Sequence, residues 1–338
     1  MPTEWFCLID LLRKYNLSSN YITGVVYPNP EFMKRPLIFI ATYNEIDNIG
    51  QLIQDINKMI SDQDLLIIDD ASPDGTGKFL DSLAKDKDHL HIIHRPKKLG
   101  LGTAHKFAMK YAIHYEFDIL ITMDADYSHH PKYLPILIKA LERVDFIIGS
   151  RYIEGGGLDY GLVRTTLSRT ANILSRYLLA IPLKECTTSY RGFRVAFLER
   201  LNIDAIQSEG YSFFIECLFY ITRLTKSVDE IPIFFEDRRA GTSKISKKEI
   251  FFGFWTLVRL ARKRYFRPLL ETKEQSLQML PACSHCGSLF QSFLTHPSKA
   301  RIQDDRVEDD SSEALGITLY CLQCGVVHTN SVYQRTLG

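Results

Sequence analysis

Cysteine is scarce in this chain, and its scarcity excludes one class of protein. Seven cysteines among 338 residues are too few to build a disulfide framework for a chain of this length. Four of the seven form two Cys-x-x-Cys pairs near the C-terminus, which indicates a metal site in a reducing compartment. Disulfide-stabilised secreted proteins are therefore excluded.

Long apolar runs are also missing. The longest lipophilic stretch, Ile250 to Ala261, is too short to cross a bilayer, which takes about 20 apolar residues of helix. The first residues, Met1 to Trp5, lack the basic start and the apolar centre of a secretory signal peptide. We therefore expect a cytoplasmic protein that contacts a membrane only peripherally, on its cytoplasmic face.

Charge of one sign is not in excess either. The formal net charge of +1 argues against binding nucleic acid through bulk charge, so no nucleic-acid partner is expected. The local distribution is uneven, because residues 238–267 carry ten Lys or Arg and one acid, Glu249. Residues 304–313 are instead dominated by Asp and Glu.

Apolar runs of strand length alternate with helical periodicity from Pro36 onward. Strands are expected at Leu37–Ala41, Leu65–Ile68, Leu90–Ile93, Phe117–Met123 and Asp145–Gly149. Helices are expected at Glu45–Ile60, Gly77–Ala84, Thr103–Tyr115 and Tyr133–Glu142. This alternation predicts an α/β fold with a mostly parallel, Rossmann-like sheet flanked by helices. A helix at Arg164–Ala180 and an extended segment at Thr187–Arg194 follow.

Changes in this pattern divide the chain into five segments. The segments are a leader at 1–34, an α/β domain at 35–245, a basic amphipathic helix at 246–267, a linker at 268–280 and a cysteine-bearing module at 281–338. The leader carries no pattern that assigns it a structure. No internal repeat is present.

Four loops with polar or glycine residues follow apolar strands. Asp124-Ala125-Asp126 offers two hard oxygen ligands of the kind that Mg²⁺ and Mn²⁺ prefer. The others are Thr42–Glu45, Asp69–Gly75 and Gly100–Gly102. Each loop alone is better explained by a helix cap or a turn than by a site. Together they predict a ligand site, because the carboxyl ends of parallel strands meet at one edge of the sheet.

These loops and several later motifs, in this order, resemble the family 2 glycosyltransferases with the GT-A fold. The closest likeness is to the polyprenol-phosphate (dolichol-phosphate) mannose synthases, and it covers Pro36 to Arg267. The further motifs are Asp124–Pro131, Gly149–Tyr152, Thr188–Arg191, Asp237–Arg238 and Gly241–Lys244. Two positions depart from the family: Ala41 replaces the usual proline, and Ser128 stands where some members carry a third metal-binding side chain.

The resemblance implies a role for each matching residue. Those expected to bind the nucleotide sugar are Thr42, Tyr43, Glu45, Asp70, Gly102 and Asp124. Those expected to hold Mg²⁺ or Mn²⁺ on the diphosphate are Asp124 and Asp126. Those expected around the acceptor phosphate are Arg151, Arg164, Ser168 and Lys244. The catalytic set would comprise Asp124, Asp126, Arg151 and Arg238.

Residue chemistry agrees with an acceptor phosphate. A lipid monophosphate, with a second pKa of about 6, needs cations that position it rather than a general base. Arg164 and Ser168 lie four apart on a predicted helix and share a face, although a solvated face is the alternative for Arg164 and Arg169. Glu216 is expected to be structural. His129 and His130 are expected in a surface turn rather than on a metal.

The basic segment predicts a helix with two faces. Its apolar face carries Ile250, Phe254, Leu257 and Ala261, with Phe251, Trp255 and Val258 beside them. Its basic face or flank carries Lys248, Arg259, Arg262 and Lys263. Such a helix suits the interface of an anionic membrane. A core-packing helix with a solvated back is the equal alternative.

The tail carries a separate signal. Cys283, Cys286, Cys321 and Cys324 form two knuckles that predict a tetrahedral, structural Zn²⁺ site resembling a zinc ribbon, with redox cysteines or unpaired thiols as the alternative. Cys7, Cys186 and Cys217 are expected to be inert thiols. A protein that docks on this module, or one that anchors the chain at a membrane, is a possible further partner.

The resemblance implies an inverting, metal-dependent transfer of mannose from GDP-mannose to a polyprenyl or dolichyl phosphate. The nearest alternative is transfer of glucose or N-acetylhexosamine from a UDP-sugar. A protein or glycan acceptor is a further alternative. From a different class, the chain would be a zinc-ribbon binding protein built on an inactive transferase core.

Overall fold

The structure is a computed structural model that describes residues 35–61, 63–85, 87–158, 162–235 and 247–266, and three short strands beyond them. The chain divides into two compact units, Met1–Ser276 and Leu277–Gly338. The leader at 1–34 and the linker at 268–280 lie outside the described residues. Within the described part, no helix combines the length and the apolar character needed to cross a bilayer.

A seven-stranded sheet forms the centre of the first unit. Its strands are β1 (Pro36–Thr42), β2 (Asp64–Asp69), β3 (Leu90–His94), β4 (Ile119–Asp124), β5 (Phe146–Ser150), β7 (Arg191–Arg194) and β8 (Val228–Pro232). Their order is β3-β2-β1-β4-β7-β5-β8, and each pairing is parallel except those of β7. The prediction of a mostly parallel α/β sheet is therefore confirmed. A small second sheet pairs β6 (Gly157–Leu158) with β9 (Phe234–Phe235).

Helices cover the sheet. They are α1 (Ile46–Met59), α2 (Thr76–Ala84), α3 (Leu101–His114), α4 (Leu134–Ala140), α5 (Leu162–Leu179), α6 (Val195–Leu198), α7 (Ser212–Leu224) and α8 (Lys247–Phe266). The predicted helix at Tyr133–Glu142 is shorter than expected, and a 3₁₀ turn at Pro131–Tyr133 leads into it. Apolar side chains of α1, such as Ile49, Leu52 and Ile56, are fully buried against the sheet. Each such side chain contributes about 1.5–3 kcal/mol.

Strand β7 lies between β4 and β5 and runs antiparallel to both. The space there is too narrow for a side chain at Gly192. A Cβ at this position would lie 2.6 Å from Ile147 Cγ2 and 2.9 Å from Ile121 Cδ1. The sequence predicted an extended segment here, but neither its direction nor its place in the sheet.

His105 fills the space where α3 packs on the sheet. Its ring packs at 5.0 Å between centroids against both Phe39 and Phe214. Burial, reinforced by the positive charge of Arg191, lowers the pKa of His105 to about 3. The imidazole is therefore a neutral packing group at physiological pH.

Helix α8 packs on α5 and α7 with one face and exposes aromatic side chains on another. Leu257 and Leu260 are buried, whereas Phe254 and Trp255 are 60% and 59% exposed. Arg259 donates to Glu216 Oε2 at 2.8 Å and so ties α8 to α7. Of the two predicted alternatives, core packing holds for one side of the helix, and contact with a membrane stays a prediction. Leu257 and Phe254 do not share one exposed face as predicted.

Glu216 has the structural role that the sequence predicted. Its carboxylate is fully buried, and Oε2 accepts the backbone N–H groups of Gln207 and Ser208 at 3.1 and 2.7 Å. Together with Arg259, these contacts hold the segment before α7 against α8.

The second unit is described as a three-stranded antiparallel sheet in the order β10-β11-β12. The strands are β10 (Phe290–Leu294), β11 (Ile317–Cys321) and β12 (Val327–Asn330). Of the four predicted zinc ligands, the backbone of Cys321 ends β11. Cys283, Cys286 and Cys324 lie outside the described residues.

Candidate active site

A cavity of about 930 Å³ opens at the carboxyl edge of the sheet. One side is formed by the loops after β1, β2 and β4, and the other side by helices α5 and α8. This volume lies at the upper end of the range usual for ligand pockets, about 300–1,000 Å³. The cavity therefore lies where the four loops were predicted to meet.

Backbone strain accompanies these loops. Asn44, Ala71 and Tyr127 have φ angles of 61°, 56° and 66°, in the left-handed region that residues with a Cβ rarely adopt. They follow β1, β2 and β4 respectively. Such strain costs about 1–3 kcal/mol per residue and persists only where the surroundings hold it. The loops are therefore held in defined positions around the cavity.

Hydrogen bonds between the first two loops supply part of that support. Thr42 Oγ1 donates to Asp69 Oδ1 at 3.0 Å, and the Asn44 N–H donates to Ser72 Oγ at 2.9 Å. Asp74 accepts from both the N–H and the hydroxyl of Thr76, at 3.0 and 2.6 Å. The Thr42 hydroxyl, a predicted nucleotide ligand, is therefore already engaged in the loop itself.

Asp70 lines the cavity, but its carboxylate also holds the third loop. Oδ1 contacts Arg95 Nε, and Oδ2 accepts the Gly100 N–H at 3.2 Å. Arg95 in turn donates to Thr103 Oγ1 at 2.7 Å and to the Gly100 carbonyl at 3.1 Å. Burial lowers the pKa of Arg95, while Asp70 opposes that shift. Arg95 carries no motif signal of its own, so the sequence did not predict its role.

Tyr43 and Glu45 line the cavity as predicted, but Gly102 does not. Gly102 lies in the first turn of α3, where a Cβ would be 3.1 Å from Phe213 Cβ. Its small size lets α3 approach α7 closely. Gly100 and Leu101 line the cavity from this loop. A role of Gly102 in nucleotide binding stays a prediction.

Asp124 and Asp126 both line the cavity at the end of β4. Ser189 Oγ donates to Asp124 Oδ1 at 2.5 Å, and the Ser128 N–H donates to Asp126 Oδ1 at 3.0 Å. These contacts orient both carboxylates. Ser128 itself is buried outside the cavity lining, so it does not supply the third ligand seen in some family members.

His129 is buried behind these carboxylates, which corrects the predicted surface turn. Its Nδ1 accepts the Asp124 N–H at 3.0 Å, so Nε2 carries the proton and donates to Thr188 Oγ1 at 3.0 Å. Burial lowers the pKa of His129, although Asp124 and Asp126 oppose that shift. The residue is therefore a neutral support. His130 caps the following 3₁₀ turn, where its Nδ1 accepts the Lys132 N–H at 3.1 Å.

The two carboxylates fit a hard divalent cation. Because His129 is neutral, it does not cancel the charge of Asp124. Among the residues that the structure describes, no group of three or more His, Cys, Asp or Glu could enclose a metal alone. A cation here would complete its shell with substrate phosphates and water, which is how Mg²⁺ is usually held. The donor set therefore suits Mg²⁺ or Mn²⁺ carried with a phosphate ligand.

Arg151 lines the cavity, but its charge is already paired. Nε and Nη2 donate to the two oxygens of Glu185 at 2.7 and 2.9 Å, and Nη2 also donates to Thr187 Oγ1 at 2.8 Å. Burial alone would raise the pKa of Glu185, but Arg151 holds it below the usual value. Glu185, which the sequence reading missed, therefore fixes Arg151 and reduces the positive charge it presents to an acceptor phosphate.

The remaining predicted acceptor residues are placed only in part. Ser168 on α5 lines the cavity and accepts a hydrogen bond from the Tyr152 hydroxyl at 2.6 Å. Arg164 lies in the first turn of α5, but its side chain is outside the described residues, as are Arg238 and Lys244.

Comparison with known proteins gives this site a context. Residues 37–201 match the model of the family "Glycosyl transferase family 2". The undecaprenyl-phosphate mannosyltransferase of Micrococcus luteus is 37% identical over 213 residues, which cover 63% of this chain and 88% of the relative. The polyprenol monophosphomannose synthase of Mycolicibacterium smegmatis is 38% identical over 220 residues, which cover 64% and 83%.

Solved structures agree on the fold. The glucosyl-3-phosphoglycerate synthase of Mycobacterium tuberculosis, in a complex with Mn²⁺, UDP and glucosyl-3-phosphoglycerate, has a TM-score of 0.51. The match covers 72% of this chain and 88% of that one at 16% identity, so it supports the architecture alone. Fold and site together define a GT-A-type α/β protein. From its relatives, the chain belongs to glycosyl transferase family 2 and is a glycosyltransferase.

Replacing Glu185 by Ala would leave the buried guanidinium of Arg151 without its partner. We expect the free energy of unfolding to fall by about 3–5 kcal/mol, measured by urea denaturation. Glu154→Ala, at an exposed position nearby, is the matched control and should change it by less than about 0.5 kcal/mol. If the Ala variant does not fold, Glu185→Gln should still lower stability. An unchanged urea midpoint would contradict a supporting role for this pair.

Proposed function

We propose that the protein transfers mannose from GDP-mannose to a polyprenyl phosphate, with inversion at the sugar. The observation that carries the proposal is the division of one cavity into two unlike sides. Carboxylate-bearing strand ends form one side, and apolar helix faces form the other. The names of the two relatives, a polyprenol monophosphomannose synthase and an undecaprenyl-phosphate mannosyltransferase, support this choice of sugar and acceptor.

The strand side suits the donor. Tyr43, Glu45 and Asp70 line it together with Asp124 and Asp126. An aromatic ring and acidic acceptors fit a nucleoside, which offers a flat base and hydroxyl or amide donors. A divalent cation held by Asp124 and Asp126 would neutralise the diphosphate that departs from the sugar.

The helix side suits a lipid-linked phosphate. Leu167 and Leu174 of α5 face the cavity with Phe254 and Leu257 of α8. An isoprenoid chain would bury apolar surface against these side chains. Ser168, which also lines this side, offers a hydroxyl to the phosphate. Arg151 lies beside it in an orientation held by Glu185.

No general base is required for this reaction. The acceptor phosphate is largely dianionic at neutral pH, because its second pKa is about 6. His129 binds the Asp124 N–H through Nδ1 and the Thr188 hydroxyl through Nε2, so both ring nitrogens are engaged and the residue is not needed as a proton acceptor. Attack by a phosphate oxygen opposite the leaving diphosphate inverts the anomeric centre. The protein's residues then act by positioning the two substrates and excluding water.

The donor and the metal carboxylates can be tested together. Wild type, Asp126→Asn and Asp204→Asn would be incubated with Mn²⁺, a short polyprenyl phosphate and, separately, GDP-mannose, UDP-glucose and UDP-N-acetylglucosamine. Asp126→Asn keeps an acceptor for the Ser128 N–H but loses the charge. We expect wild type to form a lipid-linked mannose, detected by mass spectrometry. Asp126→Asn should be at least about 100-fold slower, and Asp204→Asn, an exposed control, unchanged.

The other outcomes decide between the alternatives. Product from a UDP-sugar alone would keep the lipid acceptor and overturn the GDP-mannose assignment. No lipid-linked product from any of the donors would favour a binding protein on an inactive core. Retention of the anomeric configuration in the product would contradict direct attack by the phosphate.

We also propose that α5 and α8 contact a membrane on its cytoplasmic face. Among the described residues, nine of the eleven exposed large hydrophobic side chains lie on these two helices. We call them the α5–α8 surface: Leu167, Ile173, Leu174, Tyr177, Leu178, Phe252, Phe254, Trp255 and Tyr265. Exposed Arg169 and Arg262 accompany it and suit anionic headgroups. Because part of this surface also lines the cavity, a lipid acceptor could enter without leaving the interface.

Replacing Phe254 and Trp255 by Ser should weaken binding to anionic vesicles by about 10-fold or more, because both exposed side chains lose apolar area. Vesicle flotation measures the bound fraction. Tyr43→Ser removes an exposed aromatic side chain that lies on neither α5 nor α8 and should leave vesicle binding unchanged. Equal flotation of wild type and the double variant would remove α8 from the membrane contact.

For the tail, we propose a structural zinc site. Phe290, the first residue of β10, pairs with Cys321, the last residue of β11, in an antiparallel register. The chain therefore enters β10 and leaves β11 at the same end of the sheet. In sequence, Cys286 precedes Phe290 by four positions and Cys324 follows Cys321 by three. This register supports bringing the two cysteine pairs to one tetrahedral ion.

The purified protein is expected to carry about one zinc ion per chain, measured by inductively coupled plasma mass spectrometry. Replacing Cys321 and Cys324 by Ser should remove it. Cys7→Ser, at an isolated cysteine, is the control and should retain the metal. A zinc content that is unaffected by loss of either pair would refute the site.

A further inference from the structure

Lys98 lies over the ring of Tyr43 at the donor side of the cavity. Its Nζ is 3.7 Å from the ring centroid, well within the range of a cation–π contact, which extends to about 6 Å. Both residues line the cavity beside Asp70 and Gly100. Lys97 and Lys98 are both exposed, but Lys97 does not line the cavity. The chain therefore directs one of two neighbouring lysines toward the predicted donor site.

The charges around the cavity set Lys98 apart. Within the described lining the basic side chains are Lys98 and Arg151, and Arg151 is paired with Glu185. Lys98 is exposed to solvent and forms no ion pair with any residue that the structure describes, so its described protein contact is the Tyr43 ring. Among the described residues that line the cavity, Lys98 is thus the Lys or Arg without a carboxylate partner.

Tyr43 has the properties of a stacking platform. It is 38% exposed, so its ring is open to a ligand as well as to Lys98. Its backbone is held next to Asn44, whose left-handed conformation is secured by the hydrogen bond from its N–H to Ser72 Oγ. An aromatic ring presents two faces. With the ammonium against one face, a flat, π-bonded ligand would stack on the opposite face.

We propose that Lys98 is a positioning residue for the donor's nucleobase. Its ammonium holds the Tyr43 ring in the orientation on which the base stacks. This inference rests on the proposed function for the existence of a nucleoside diphosphate donor, and it adds a residue and a mode of action to that site. The competing role for Lys98 is direct contact with the diphosphate.

A double-mutant cycle separates the two roles. The dissociation constant of GDP would be measured by calorimetry, in the presence of Mn²⁺, for wild type, Lys98→Met, Tyr43→Leu and the double variant. A cation–π contact of about 0.5–1.5 kcal/mol predicts that Lys98→Met weakens GDP binding by about 2- to 12-fold. In the Tyr43→Leu background, the same change should have no further effect. Lys98→Arg should restore most of the affinity, because a guanidinium also stacks on an aromatic ring.

Inorganic pyrophosphate serves as a probe without a base. Its affinity should be the same for wild type and Lys98→Met if the lysine acts through Tyr43. Lys97→Met is the matched control, since it removes an equal charge one residue away and should leave both affinities unchanged. In turnover with GDP-mannose, Lys98→Met should raise KM while kcat stays within about twofold, because ground and transition states share the base contact.

Three results would overturn the proposal while leaving the proposed function standing. They are an unchanged GDP affinity in Lys98→Met, an equal loss in the Tyr43→Leu background, and a parallel loss of pyrophosphate affinity. The last two would assign Lys98 to the diphosphate. If wild type binds UDP but not GDP, the same cycle is run with UDP. Wild type that binds neither nucleotide would overturn both this inference and the donor assignment.

Discussion

The parallel register of three strands is the constraint on which the site depends. Thr42 of β1 pairs with Asp69 of β2, and Ala41 of β1 pairs with Asp124 of β4. The three strands therefore end at the same level, and their loops open into one cavity. A shift of one residue in either pairing would turn the alternate side chains of a strand to the opposite face. Full burial of Ile38, Ile40, Ile67 and Ile121 opposes such a shift.

The second half of the chain reaches the site through β7 and the turn before it. Arg191 is fully buried, and its guanidinium donates to the carbonyls of Thr188, Cys186 and Phe214 at 2.7, 2.9 and 3.0 Å. That turn carries Ser189, which contacts Asp124. Asp124 thus belongs to β4, but its carboxylate is oriented by Ser189, which lies 65 positions later in the chain.

Charge pairing then decides which groups remain for a ligand. Asp70 is engaged by Arg95, and Arg151 by Glu185, so neither presents a full charge to the cavity. Hydrogen bonds at the end of β4 are of another kind: Asp124 accepts from the Ser189 hydroxyl, Asp126 accepts from the Ser128 N–H, and the neutral His129 ring binds the Asp124 N–H. This distribution of charge favours a cation at the end of β4. Because Glu185 neutralises Arg151, we expect Arg151 to orient an acceptor phosphate by hydrogen bonding rather than to attract it by net charge.

The sequence alone determined the strands, most helices and the edge at which the acidic loops meet. These follow from local patterns, since apolar runs and helical periodicity report burial directly. Asp124 and Asp126 were found this way. Contacts between residues that are far apart in the chain leave no such pattern in the sequence. Only the tertiary structure decided that Glu185 pairs with Arg151 and that Gly102 packs on Phe213. It alone also placed His129 in the interior and the antiparallel β7 between β4 and β5, because non-local packing sets those positions.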